Sequence, residues 1–268
     1  MNAGMTPAAL WHDICRIRQE APLIHNVTNF VVMNNTANAL LALGASPVMA
    51  HAPEEVTDMV TLSAALVLNI GTLDAHWINS MRAALLSARG RGVPVVLDPV
   101  GAGATPYRTA VARDLIKLGP PTVVRGNASE LSSLAGKDGR TKGVDSSRSP
   151  DEAAAQLVST DWGCVVCISG ETDVITGAGG LCRVRNGHPA MRRVTGLGCT
   201  ASALIAAFCA VNPDPFTAAA HGMCLIGICG EIAAARAKGP GSLQVEILDC
   251  LANLGEREVH EHAAMEAV

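Results

Sequence analysis

The run Val194-Thr-Gly-Leu-Gly-Cys-Thr-Ala-Ser-Ala203 sets two glycines directly ahead of an Ala-rich apolar stretch that reads as a helix. A helix N-terminus carries free N–H groups and the positive end of the peptide dipoles, so it holds anions. Glycines there let a phosphoryl group come close to the backbone. The run is not a Walker A loop, because no Gly-Lys-Ser/Thr follows, and it lacks the third glycine of a dinucleotide fingerprint. A plain helix start with turn glycines would look the same. In Asp98-Pro-Val-Gly-Ala-Gly103 a carboxylate stands at the end of an apolar run, beside a glycine loop. It can hold Mg2+ directly or through water, or simply shape a turn. In Arg125-Gly-Asn-Ala-Ser-Glu130, Asn127 suits a helix cap with Glu130 returning as a capping box. At the same sheet edge as Asp98, Arg125 and Glu130 would also add a phosphate partner and a second metal-side carboxylate. In Ile168-Ser-Gly-Glu-Thr-Asp173 the Ser169 hydroxyl can bond a phosphate or a ribose, and a tight hairpin turn is an equal alternative. His25, His51, His188 and His221 share no metal-ligand spacing, and no Gly-x-Ser-x-Gly elbow exists.

These segments need a scaffold that gathers them. Leu10, Ile14 and Ile17 have helical spacing, and a short strand Leu23-Ile24 leads into His25-Asn26. Asn29 to Leu43 reads as a helix closed by Gly44, and Ser46 to Ala50 as a strand, with Pro53 opening the next helix. Leu66 to Ile70 is a buried strand. Asp74 caps a helix that ends near Gly90 or Gly92. Pro94 to Val100, Thr122 to Val124 and Cys164 to Ile168 are further strands, with a helix over Ser149 to Thr160 between the last two. Asp173 to Thr176 and Leu181 to Arg185 form a hairpin that continues the sheet, and beyond Gly198 the pattern is helical to the end. Gly136 to Ser149 reads as a polar surface loop. Strands apolar on both faces and alternating with helices predict a parallel sheet covered by helices. Ligands bind such sheets beyond the C-terminal strand ends, which is where the segments above fall. With no linker and no repeat, one domain over residues 1–268 is expected.

Composition narrows the classes further. Hydrophobic residues make up 49% of 268 and charged residues 16%, too apolar for disorder. Aromatics are only 3%, so the core must be built from Ala, Leu, Val and Ile, and base-stacking platforms are not expected. A net charge of −4 without a Lys/Arg run argues against a nucleic-acid partner. The N-terminus does not read as a signal peptide, and no uninterrupted apolar run is long enough to predict a membrane span; Thr217 to Ala235 comes nearest but contains His221 and Glu231. The nine cysteines sit mostly in apolar runs, as buried free thiols of a reducing, cytoplasmic protein do. Cys164 and Cys167, three apart in a strand, point to opposite faces and read as core rather than as a metal or redox pair.

Taken in order, the segments resemble the hydroxyethylthiazole kinase family of the ribokinase-like superfamily over nearly the whole chain. The most specific are Pro22-Leu-Ile-His-Asn-Val-Thr-Asn29, Leu43-Gly-Ala-Ser-Pro-Val-Met-Ala50, Leu68-Asn-Ile-Gly-Thr72, Val96-Leu-Asp-Pro-Val-Gly-Ala-Gly-Ala-Thr105, Arg125-Gly-Asn-Ala-Ser-Glu130 and Val194-Thr-Gly-Leu-Gly-Cys199. The resemblance implies a ribokinase-like three-layer αβα sandwich with a largely parallel central sheet, and a homotrimer with sites near subunit interfaces. It implies ATP-dependent phosphorylation of 4-methyl-5-(2-hydroxyethyl)thiazole in thiamine salvage. It further implies ATP contacts at Arg125 and Ser169, thiazole contacts at Met49 and Gly196, and Mg2+-side acids at Asp98 and Glu130. Cys199 fills the place where related sugar and pyrimidine kinases carry a catalytic Asp, and at a helix N-terminus it is expected to have thiolate character. Ser169 departs from the family's threonine but keeps the hydroxyl; Leu197 replaces a smaller loop residue. The competing readings are a hydroxymethylpyrimidine-type kinase, an ATP-dependent dehydratase of hydrated nicotinamide nucleotides, and a non-enzymatic regulator. The first two should carry Asp at position 199.

Overall fold

In the computed structural model, which describes residues 4–135 and 150–268, the apolar runs become nine strands. They are β1 (Leu23–Val27), β2 (Ser46–Val48), β3 (Ala65–Asn69), β4 (Val95–Asp98), β5 (Val123–Asn127), β6 (Val165–Ser169), β7 (Asp173–Gly177), β8 (Gly180–Val184) and β9 (Met265–Ala267). One sheet holds them in the order β2-β1-β3-β4-β5-β6-β7-β8-β9. The strands from β2 to β6 in that order are parallel, and β7, β8 and β9 continue antiparallel. The chain runs outward from β1 to β2 and then returns to β3, so a topological switch point lies between β1 and β3.

Eleven α-helices accompany the sheet among the described residues: α1 (Pro7–Glu20), α2 (Met33–Leu43), α3 (Val56–Leu62), α4 (Ala75–Arg91), α5 (Pro106–Leu118), α6 (Ala128–Ala135), α7 (Pro150–Trp162), α8 (Leu197–Val211), α9 (Pro215–Arg236), α10 (Pro240–Asn253) and α11 (Glu256–His262). Side chains alternate across a strand, and the strands feed two core layers accordingly. Val96 of β4 packs with α1, α2, α8, α9 and α10, while Val95 and Leu97 pack with α3 to α7. This is the αβα sandwich expected. Cys167 and Cys164 fall into these opposite layers, both as buried free thiols.

With so few aromatics, close packing needs small residues. A Cβ on Gly222 of α9 would lie 2.9 Å from the Cα of Ile205 in α8, so these helices meet backbone to backbone. The 22-residue α9 is long and apolar enough to cross a membrane by length and composition, yet 78% of its most apolar window is buried within the protein.

Several boundaries differ from expectation for local reasons. Residues 106–118, given no element above, form α5: Thr105 Oγ1 accepts the Arg108 amide, Pro106 takes the first helical turn, and Val111, Ala112, Leu115 and Ile116 make its buried face. Helix α2 starts at Met33 rather than Asn29, because the Asn29 side chain accepts the Val31 N–H and stabilises a turn instead. Helix α3 starts at Val56, three residues past Pro53. The C-terminal region is not wholly helical, since β9 pairs with β8 at the sheet edge. Asp74 caps α4 by accepting the Trp77 N–H at 2.9 Å, and Gly92 ends that helix in the left-handed region at φ 71°. The polar stretch 136–149 lies outside the described residues.

Candidate active site

The period-two alternation of strands decides which side chains meet. Asn69 shares its face with Val67, Asp98 with Val96, Arg125 with Val123, and Ser169 with Cys167, and those apolar partners all belong to the core layer under α8. Four polar side chains thus emerge at the C-terminal strand ends beneath the start of one helix. Its N-cap residue, Gly196, has φ 81° and no side chain caps the helix. A Cβ at Gly196 would come within 2.7 Å of Val32, and one at Gly198 within 2.6 Å of Arg125 Nη1. The guanidinium therefore lies against the first turn of α8, where the backbone dipoles are positive.

Asp98 is buried, and its Oδ2 accepts hydrogen bonds from Ser202 Oγ at 2.8 Å and Asn69 Nδ2 at 3.0 Å. Burial pushes its carboxyl up to about 6; the Arg125 charge and the two hydrogen bonds oppose the rise, and Glu130 adds to it. Glu130 is fixed by two amides, Gly101 N–H to Oε1 at 2.8 Å and Asn127 N–H to Oε2 at 2.9 Å. Asn127 Oδ1 accepts the Glu130 N–H in return, which is the capping box read from the sequence. Among the described residues no group of three or more His, Cys, Asp and Glu could hold a metal. Two carboxylates with oxygen lone pairs to spare, one deeply buried and short of positive charge, suit a hard cation that completes its shell with water and phosphate oxygens.

Cys199 stands in the first turn of α8. Asn29 Nδ2 reaches its Sγ at 3.6 Å and also donates to Asn69 Oδ1 at 2.8 Å. One polar chain therefore runs from Cys199 through Asn29 and Asn69 to Asp98 and Ser202. The thiolate expectation needs correction. Burial, and then the Asp98 charge, push the Cys199 thiol up to about 11, against the hydrogen bonds from Asn69 and Asn29 and the Arg125 charge. The helix start does not outweigh the loss of water around sulfur.

On the other side of Arg125 a cavity of about 260 Å3 opens, with Ser169, Gly170 and Asp173 at its polar end and Met191, Met223 and Ile226 among its apolar lining. Arg125 Nε is buried and has no protein partner. Ser169 Oγ makes only a long bond, 3.4 Å, to the Gly126 carbonyl. Asp173 Oδ1 accepts the Gly170 N–H at 2.9 Å, and burial raises its carboxyl to about 6. Met49 lies outside the hydrogen-bonded cluster, just past edge strand β2; His25 Nε2, 2.6 Å from the Ala50 carbonyl, braces the next residue.

Asn29, Asn69, Ser202 and Asp173 received no individual role from the sequence. Asn69 had a signal, a polar amide ending a strand otherwise made of Ala, Leu and Val. Ser202 had none, because a serine inside an Ala-rich helix is ordinary.

A profile of the hydroxyethylthiazole kinase family matches residues 14–257. The chain belongs to this family. Hydroxyethylthiazole kinase of Syntrophus aciditrophicus is 54% identical over 258 residues, spanning 95% of this chain and 96% of the relative. The Leptothrix cholodnii enzyme of the same name is 52% identical over 258 residues, covering 94% and 93%. The solved hydroxyethylthiazole kinase of Pyrococcus horikoshii OT3 superimposes with a TM-score of 0.90 at 41% identity, covering 97% of this chain and 98% of that one. Pyridoxal kinase from Staphylococcus aureus in complex with AMP-PCP, at 16% identity and a TM-score of 0.61 over 78% and 88% of the chains, shares the fold alone. The chain is thus a kinase of the hydroxyethylthiazole kinase family, built on the ribokinase-like sandwich.

Proposed function

We propose that the chain transfers the γ-phosphoryl group of ATP to the hydroxyl of 4-methyl-5-(2-hydroxyethyl)thiazole, giving the phosphate ester and ADP for thiamine formation. The observation that carries this reading is the half-buried Arg125 guanidinium, whose buried Nε has no protein partner and which is seated against Gly198 at the uncapped start of α8. It is a cationic, amide-lined pocket for a phosphate, facing a buried carboxylate. ADP release measured against a panel holding the thiazole alcohol, a hydroxymethylpyrimidine and a hydrated nicotinamide nucleotide tests it. ADP formed with the pyrimidine alone, or only with the hydrated nucleotide, would overturn the choice of substrate.

Phosphoryl transfer needs alignment and charge stabilisation more than covalent help. The amides of residues 197–199 would hold the transferring group, and Arg125 and Ser169 the ATP oxygens. Met49 and Gly196 would border the thiazole, with its hydroxyl beside Cys199. Asp98 and Glu130 would hold Mg2+, which when bound neutralises the phosphate charge. A protonated Cys199 thiol does not take the acceptor proton; in a loose transition state that proton leaves late, to a phosphoryl oxygen or to water, and only the small thiolate fraction would act as a base.

Arg125→Ala is expected to raise KM for ATP about 10-fold, in line with one charge-assisted phosphate contact, while KM for the thiazole alcohol changes little. An unchanged KM for ATP would remove Arg125 from the nucleotide site.

The remaining parts of the reading are one kinase domain over residues 1–268, a homotrimer and a cytoplasmic location. A single sheet with two continuous core layers supports the first, and nine free thiols support the last. The trimer rests on the family resemblance. Sedimentation equilibrium is expected to return the mass of three chains; a stable monomer at assay concentration would dismiss the trimer.

A further inference from the structure

The side chain of Arg108, in the first turn of α5, is half-buried and serves two loops at once. Its Nη1 donates to the carbonyls of Ile70 and Val100, each at 2.9 Å, and its Nη2 to the carbonyl of Gly71 at 2.8 Å. Ile70 and Gly71 leave β3 directly after Asn69. Val100 leaves β4 two residues after Asp98. The next residue, Gly101, gives its N–H to Glu130, and the N–H of Gly71 is bonded to Asn69 Oδ1 at 3.0 Å. Each loop therefore carries a backbone amide that orients a polar side chain of the site, and the guanidinium ties both loops together. A planar fork meets three carbonyls that a single ammonium cannot span. The chain places the same arginine-to-carbonyl bond elsewhere without such consequence: Arg89 Nη1 donates to Leu118 O at 3.2 Å, at the far end of α5.

We propose that Arg108 is a positioning residue for phosphoryl transfer: its guanidinium fixes the exit loops of β3 and β4 against each other, and thereby the spacing of Asp98 and Glu130. The inference rests on the kinase reading above. It concerns alignment, where a displacement of an ångström costs on the order of 100-fold in rate, and not a contact with either substrate.

The test compares Arg108→Ala and Arg108→Lys with Arg89→Ala as the matched structural control. For each, kcat and both KM values are measured, with Tm, and with the affinity for ADP by calorimetry in the presence and absence of Mg2+. Arg108→Ala is expected to lower kcat about 10- to 100-fold with KM for the thiazole alcohol nearly unchanged. It should weaken ADP binding only when Mg2+ is present, and millimolar guanidinium ion should restore part of the rate. Arg108→Lys should lie between. Arg89→Ala should lower Tm and leave kcat alone. Wild-type kcat and wild-type Mg2+-dependent ADP affinity in Arg108→Ala, with a loss of Tm like that of Arg89→Ala, would overturn the proposal. If Arg108→Ala does not fold, Arg108→Lys decides by the same readouts. If the wild type does not turn over the thiazole alcohol, the kinase reading fails first, and the Mg2+-dependent ADP affinity still judges Arg108.

Discussion

Replacing Asp98 with Asn is expected to lower kcat by roughly 10²–10³-fold, the scale seen when one preorganised electrostatic group is lost from an active site. The shape of the side chain survives and its charge does not. Half-saturation by Mg2+ should move to higher concentration, more than for Glu130→Gln, whose carboxylate is the less buried of the two. The same change should raise stability in the absence of metal. The Asp98 carboxyl titrates at about 6 when folded, against 3.8 for the ordinary group. Its ionisation therefore opposes folding. The penalty is absent below about pH 4, grows between the two values, and is complete above about pH 6, reaching roughly 3 kcal/mol at most. Asn carries no such penalty, and its amide oxygen still accepts from Ser202 or Asn69. In EDTA the Asn variant should melt above the wild type at pH 8, and the gap should close near pH 4. A variant less stable than the wild type at pH 8, or one with an unaltered Mg2+ titration, would make Asp98 a structural residue.

The Cys199 series has the next largest effects. With its thiol pushed up to about 11, the wild type works with a protonated sulfur at neutral pH. Cys199→Ala should then lose only about 10-fold in kcat, short of the roughly 10²–10⁴ of a well-matched base, with KM for ATP nearly unchanged. Cys199→Ser should behave like Ala. Cys199→Asp should keep the wild-type rate or exceed it, because a carboxylate starts from a far lower pKa than a thiol, so that under the same burial it is a far better proton acceptor near neutral pH. The wild-type rate should climb with pH through the alkaline range, and the Asp variant's should not. If Cys199 serves only packing, Ala and Ser will be nearly silent and Asp harmful.

The sandwich was legible because strands apolar on both faces admit few architectures. The strand ends were legible too, since Asp98, Arg125 and Ser169 each follow an apolar run. Helix α5 was not legible in spite of the start signal Thr105-Pro106, because the glycines at 101 and 103 just ahead of it have the composition of a loop. The bridge of Asn29 and Asn69 was not readable: an amide two residues past β1 and another at the end of β3, forty residues apart in sequence, acquire a role only when β1 and β3 pair. Nor was the state of Cys199. The helix start was in the sequence, but the burial that outweighs it comes from the folded surroundings.

The apolar character of α9 bears on how the chain reaches its fold. A segment able to pass for a membrane span is a hazard for as long as it stays uncovered. It occupies residues 215–236, after every strand except β9, so during synthesis α8 and the sheet face it packs on emerge from the ribosome before it does, and only α10 and α11 follow to complete its cover. Its nearest helical partner, α8, precedes it by a few residues, and the two can pair as a hairpin at small loop-closure cost. Moving α9 to the front of the chain by circular permutation would keep every native contact and lose that order, so the permuted chain should aggregate during synthesis yet refold from denaturant to the same structure.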